Sequence, residues 1–196
     1  MKKKSNLIGI SILTLSAATV LFFSACEKDD CHSSAAADTG GSQRVAPLVP
    51  DSLQVPAGQV VALKTFATGV QIYVCTETSP GVFGWVFRAP DAKLYSSSNF
   101  NGQIGTHYAG PTWESTSGSK VVGARLHGNT VNTTAIPWLL LGAVSSQGPG
   151  VFEGVTYIQR VNTTGGLAPT SGANASTLGQ EARVPYTADY YFFKPE

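Results

Sequence analysis

From about Leu53 to the C-terminus, apolar residues alternate with polar or small ones, and no stretch sustains the i, i+3, i+4, i+7 spacing of an amphipathic helix. A period of two is the spacing of a strand with one dry face, so the alternation predicts an all-β domain. Runs rich in β-branched and aromatic residues predict strands over residues 60–67, 70–77, 83–89, 105–108, 120–127, 138–146, 151–161 and 183–193, with turn-forming residues between them. About eight strands at this spacing predict a single antiparallel β-sandwich or barrel, with Greek-key order one option for the connections.

The same alternation assigns faces. Val70, Ile72 and Val74 share one side of their strand and Gln71, Tyr73 and Cys75 the other, which gives the core to the apolar set. Val122, Ala124 and Leu126 are expected to line the inner face of another strand. Trp138-Leu139-Leu140-Leu141 has no polar interruption and predicts a central strand covered on both sides, with Pro137 tolerated at its start. Pro80-Gly81-Val82-Phe83 and Pro149-Gly150-Val151-Phe152 repeat four residues, which predicts a type II turn at the start of a strand in both places.

The front of the chain is built differently. Lys2, Lys3 and Lys4 precede an apolar run over residues 7–23, and Ser24-Ala25-Cys26 resembles the bacterial lipobox, in which small residues precede an acylated cysteine. The expected organisation is a lipoprotein signal peptide and its helix over 1–25, a flexible polar tether over 26–50 and one all-β domain over 51–196. An ordinary secretory signal cut after Ala25 and an uncut anchor helix are the alternatives, and in each case the domain leaves the cytoplasm. Acyl chains on Cys26 would make the membrane a partner without any transmembrane helix. Glu27-Lys28-Asp29-Asp30 resembles the acidic export signal of Bacteroidetes lipoproteins, which implies an outer-membrane, surface-exposed position in the bacterial cell envelope; the acidic start of a solvated linker is the alternative.

Charge narrows the partners. Of 13 basic residues three lie in the leader, leaving ten against 12 acidic ones, and those of the domain are scattered singly. A nucleic-acid partner is therefore not expected.

One segment carries a family likeness. Ile104-Gly105-Thr106-His107-Tyr108-Ala109-Gly110-Pro111-Thr112-Trp113-Glu114, with Gly118-Ser119-Lys120-Val121-Val122-Gly123 after it, resembles the signature of an uncharacterised family of secreted bacterial and fungal proteins classed as a domain of unknown function. Val55-Pro56-Ala57-Gly58, 69–75, 135–141, 150–160 and 184–192 extend the likeness over nearly the whole domain. Fungal members sometimes carry a malate dehydrogenase label, but the residues give no nicotinamide site: Gly148-Pro149-Gly150-Val151-Phe152-Glu153-Gly154 has three residues where the dinucleotide fingerprint has two, and a β-type segment follows it. The likeness also implies a bridge from Cys75 to a cysteine just after Gly165-Gly166-Leu167-Ala168-Pro169. Here that stretch runs into Gly172-Ala173-Asn174, so Cys75 is expected to be a buried lone thiol.

Candidate chemistry gathers near the signature. His107 and Glu114 flank a Gly110-Pro111 turn that could bring them together as a general acid/base pair; the alternative is that Thr106, His107, Trp113 and Glu114 pin the turn by hydrogen bonds, with Trp113 packed on the sheet. Tyr108, Trp113, Lys120 and Arg160 are the candidate ligand-binding residues: aromatic faces for stacking, cations for an anionic group. Tyr73, Tyr157, Tyr186 and Tyr190 add amphipathic rings. No metal-ligand motif and no cofactor motif occurs, nor Gly-x-Ser-x-Gly or Ser-x-x-Lys. The expectation is an exported lipoprotein carrying a non-catalytic module that binds a glycan, small ligand or protein. An enzyme of unfamiliar type using His107 and Glu114, and a structural envelope protein, are the alternatives.

Overall fold

The computed structural model describes residues 45–196; the expected leader, the lipid acceptor Cys26 and the tether up to residue 44 lie outside the described residues. Eight strands follow one another: β1 (Gln59–Ser79), β2 (Val82–Tyr95), β3 (Gln103–Tyr108), β4 (Thr112–Ser115), β5 (Lys120–Asn129), β6 (Trp138–Gln147), β7 (Tyr157–Gly165) and β8 (Glu181–Pro195). Each pairs antiparallel with the next, and β8 returns to pair with β1, closing a barrel. The order is sequential, so the Greek-key option does not hold. Full closure leaves no sheet edge, since every ladder finds a partner within the chain.

The strand count agrees with the sequence, but two strands are drawn differently. Residues 60–67 and 70–77 form one continuous strand through Gly69. A Cβ there would stand 2.2 Å from the Asp91 carbonyl oxygen and 2.4 Å from Ala92 Cα, so the glycine marks a close approach of β2 and not a turn. The short strand β4 passed unnoticed because its four residues look like part of a loop. Pro80-Gly81 does turn β1 into β2, with Gly81 at φ 76°. Pro149-Gly150 instead lies in the loop before β7, which starts at Tyr157, so the second copy of the tetrapeptide does not begin a strand.

Two face assignments are reversed. On β1 the buried residues are Gln71, Tyr73 and Cys75, while Val70, Ile72 and Val74 are only partly buried. On β5 the buried parity is Val121 and Gly123, and Leu126 is exposed. Both faces of this sheet carry apolar residues, so alternation alone could not say which one turns inward.

The barrel interior is unequal from end to end. The end served by the 116–119 and 148–156 loops is packed solid by Leu94, Val121, Phe152, Ile158 and Phe192. Phe152 plugs it from the loop, its ring 4.8 Å from that of Phe192, its N–H donating to Ser119 Oγ and its carbonyl accepting from Ser146 Oγ. The opposite end, where the β3–β4 and β5–β6 loops meet, is hollow. Outside the barrel a second cluster of Val61, Val161, Tyr191 and Phe193 is covered by Val49 and Val55 from the segment before β1. Leu53 is wholly buried in a 3-10 turn packed on β5 and β6, and its carbonyl accepts from Gln159 Nε2 at 2.6 Å. Leu140 and Leu141, neighbours on β6, are both buried, which is the two-sided cover expected of that strand. Among the described residues every ladder lies within Gln59–Pro195 and both core clusters draw on residues from Val49 onward.

Candidate ligand cavity

The site follows from strand parity. On β3 and β4, His107 faces Trp113 directly across the ladder, with Ala92 of β2 on the other flank of His107. On β7, Arg160 shares the face of the buried Ile158 and so points inward, between Leu139 of β6 and Tyr190 of β8. On β5, Arg125 continues the inward parity of Val121 and Gly123. On β2, Arg88 is the extra residue of a bulge opposite Ile72 and Tyr73, and a bulge re-aims the side chain it carries. His107, Trp113, Arg160, Leu139, Tyr190, Arg125 and Arg88, with Gln71, Tyr73, Phe87, Pro90, Pro111, Ile136, Pro137 and Leu141, line a cavity of about 610 Å³.

Its deep wall is aromatic. Trp113, 1% exposed, stacks on His107 with centroids 4.3 Å apart and planes 12° from parallel, and Tyr190 meets both rings edge-on at 5.4 and 5.1 Å. Burial drives the His107 imidazole down to about 3; the Thr112 carbonyl works against that shift and the positive charge of Arg160 reinforces it. The ring is therefore neutral near pH 7. Its Nδ1–H donates to the Thr112 carbonyl at 2.8 Å, which fixes the tautomer and leaves Nε2 as an acceptor.

The polar groups of this wall are buried and loosely linked. The Tyr186 hydroxyl lies in reach of Gln71 and Tyr190, and the Tyr190 hydroxyl in reach of Tyr186 and Arg160, none of them in close hydrogen-bond geometry, while Trp113 Nε1 is buried with no partner among the described residues. Leaving such a group unpaired costs about 1–3 kcal/mol, so a buried indole N–H on a cavity wall is a donor open to a guest. Arg160 spends two N–H groups on one acceptor, Nε at 3.2 Å and Nη2 at 2.8 Å from the Pro137 carbonyl, and the guanidinium also faces the Tyr190 hydroxyl.

The candidate residues from the sequence divide between two faces. Trp113, His107 and Arg160 line the cavity. Tyr108, Glu114 and Lys120 lie outside the barrel, where the Tyr108 hydroxyl donates to Glu114 Oε2 and Lys120 Nζ stands 3.3 Å from the same oxygen. The hydroxyl and the ammonium together hold the Glu114 carboxyl below the usual range. Because Glu114 follows Trp113 on a short strand, it points away from the side on which His107 lies, and the two do not form an acid/base pair. The turn between them is pinned through the His107–Thr112 bond and Thr112 Oγ1 donating to the Ala109 carbonyl; of the four residues expected to pin it, only His107 does so by a side-chain to backbone bond.

Sequence reasoning missed Gln71, Arg88 and Arg125. The signal for Arg125 was present, since it shares the parity of Val121 and Gly123; Arg88 had none, because a bulge breaks parity. Cys75 is buried and free, its thiol 3.3 Å from Thr177 Oγ1, beside the loop in which the likeness implied a second cysteine. Among the described residues no group of three or more His, Cys, Asp or Glu side chains comes together as a metal site.

Residues 56–194 match the model of a family described as "Protein of unknown function (DUF3455)". No curated protein and no solved structure matches the chain.

Proposed function

From the chain's membership of the DUF3455 family, whose description assigns no activity, we propose a function on geometry: a non-catalytic binding module that holds a small ligand inside the open end of its barrel. The observation that carries this is the 610 Å³ cavity walled by Trp113, His107, Tyr190 and Arg160. Small-molecule sites fall at about 300–1,000 Å³, mostly apolar with a few fixed polar groups, and an eight-stranded barrel is just wide enough for one such guest. Of the glycan, small ligand and protein considered from sequence, a concave pocket of this volume favours the small ligand over a flat or extended partner. The enzyme alternative loses its acid/base pair, since Glu114 lies on the outer face.

Export and anchoring complete the proposal. The basic leader, the apolar run and Cys26 support lipid attachment, which would present the barrel at the bacterial envelope through the chain before Val45. Labelling cells with radioactive palmitate tests the anchor: wild type incorporates label and Cys26→Ser does not, whereas equal labelling would refute it.

The binding reading is tested with N-phenyl-1-naphthylamine, a neutral aromatic amine that fluoresces in apolar surroundings. The chain from Glu27 onward is expected to bind one equivalent, and Leu139→Trp, which puts an indole into the cavity, to weaken binding while melting normally. Equal affinity in that variant would remove the cavity from the proposal.

A further inference from the structure

The geometry points to an organic acid as the guest: one anionic group held by Arg160 and Arg125, with an aromatic or conjugated body laid against the wall built on Trp113 and His107. This rests on the binding role proposed above and names its ligand class.

The cavity carries uncompensated positive charge. Three arginines and no carboxylate line the cavity. The ion pairs among the described residues engage Lys64, Arg88, Lys120 and Arg183, and neither Arg125 nor Arg160 takes part in one. The partly buried Arg160 guanidinium, without a counter-ion, carries a desolvation cost that an anion arriving in the cavity would offset, and the exposed Arg125 adds a second cation at its mouth. Arg160 is also the common charge of the polar wall, since its field reaches Tyr73, His107, Tyr186 and Tyr190. His107 adds no second buried cation, because it is neutral, and offers an acceptor in its place. The guanidinium fork matches a planar acid group two bonds at a time, which a scattered lysine would not. An inorganic anion alone would leave most of the space and the apolar walls of Leu139 and Leu141 unused.

Two probes of nearly one shape separate the charge from the body. N-phenyl-1-naphthylamine is neutral, and 8-anilinonaphthalene-1-sulfonate adds a single acid group. With the chain from Glu27 onward, the sulfonate is expected to bind about tenfold tighter, and raising salt is expected to erode that advantage while sparing the neutral probe. Arg125→Gln, an exposed position, should weaken the sulfonate about threefold or more with the amine unchanged, and Arg160→Gln should weaken it further. Arg183→Gln, which loses the same charge from the outer surface, should change neither. Should Arg160→Gln fail to fold because its bond to Pro137 is lost, Arg125→Gln against Arg183→Gln decides alone.

If both probes bind equally and Arg125→Gln behaves like Arg183→Gln, the cavity is a binding site but not one for acids, and the inference is overturned. If neither probe binds, the binding role itself falls and takes the inference with it.

Discussion

Trp113 lies flat against His107 because the two residues oppose each other across the β3–β4 ladder with both side chains inside the barrel. The indole thereby seals one face of an imidazole whose Nδ1–H is already committed to the Thr112 carbonyl. The pair forms a dry, neutral wall beside the cationic Arg160, and each element of this arrangement has a measurable consequence.

The buried imidazole makes stability depend on pH. Its pKa is about 3 folded against 6.5 as its ordinary value, so the unfolded chain binds a proton that the folded chain refuses. The contribution is fully present above pH 6.5 and is lost as pH falls toward 3, at up to about 1.4 kcal/mol per pH unit. Urea unfolding at pH 7 and pH 4.5 is expected to show a smaller loss for His107→Phe, which keeps the stack without the titrating group, than for wild type. Equal losses would mean that the ring is not shielded as described.

Glu114 is expected to be silent in binding. Its carboxylate is engaged by Tyr108 and Lys120 on the outer face, so Glu114→Gln should leave the affinity of either naphthyl probe within about twofold of wild type. A larger effect would put the residue back into the site.

At Gly69 the backbone of β2 lies too close to β1 to leave room for a Cβ. Gly69→Val places a side chain against the Asp91 carbonyl and Ala92, and forcing β1 from β2 is expected to cost about 1–3 kcal/mol or more, read as a fall in the denaturation midpoint. A neutral outcome would show that the ladder tolerates an opening there.

The period-two pattern carried the fold class, because strand alternation is a local property that survives without knowledge of partners. It did not carry the inside from the outside. Val70, Ile72 and Val74 look more like a core than Gln71, Tyr73 and Cys75, yet the second set faces inward, where one end of the interior is an open cavity that admits polar side chains rather than packed hydrocarbon. Trp113 and Arg160 were legible as candidates by residue type. Their company was not: His107 meets Arg160 only through closure of the barrel, which brings together strands some fifty residues apart in the chain. Glu114 was paired with His107 in sequence because both flank one turn, and adjacency across a turn says nothing of which face each side chain takes.

The central claim is that the guest sits against Trp113. The chain has three tryptophans, and their indole N–H signals report three places: Trp113 in the cavity wall, Trp138 packed against the outer cluster, and Trp85 donating to the Ser171 carbonyl at 2.8 Å. Titrating 15N-labelled protein with N-phenyl-1-naphthylamine is expected to move the Trp113 signal alone, saturating at one equivalent. Movement of Trp85 or Trp138 with Trp113 unmoved would contradict the account.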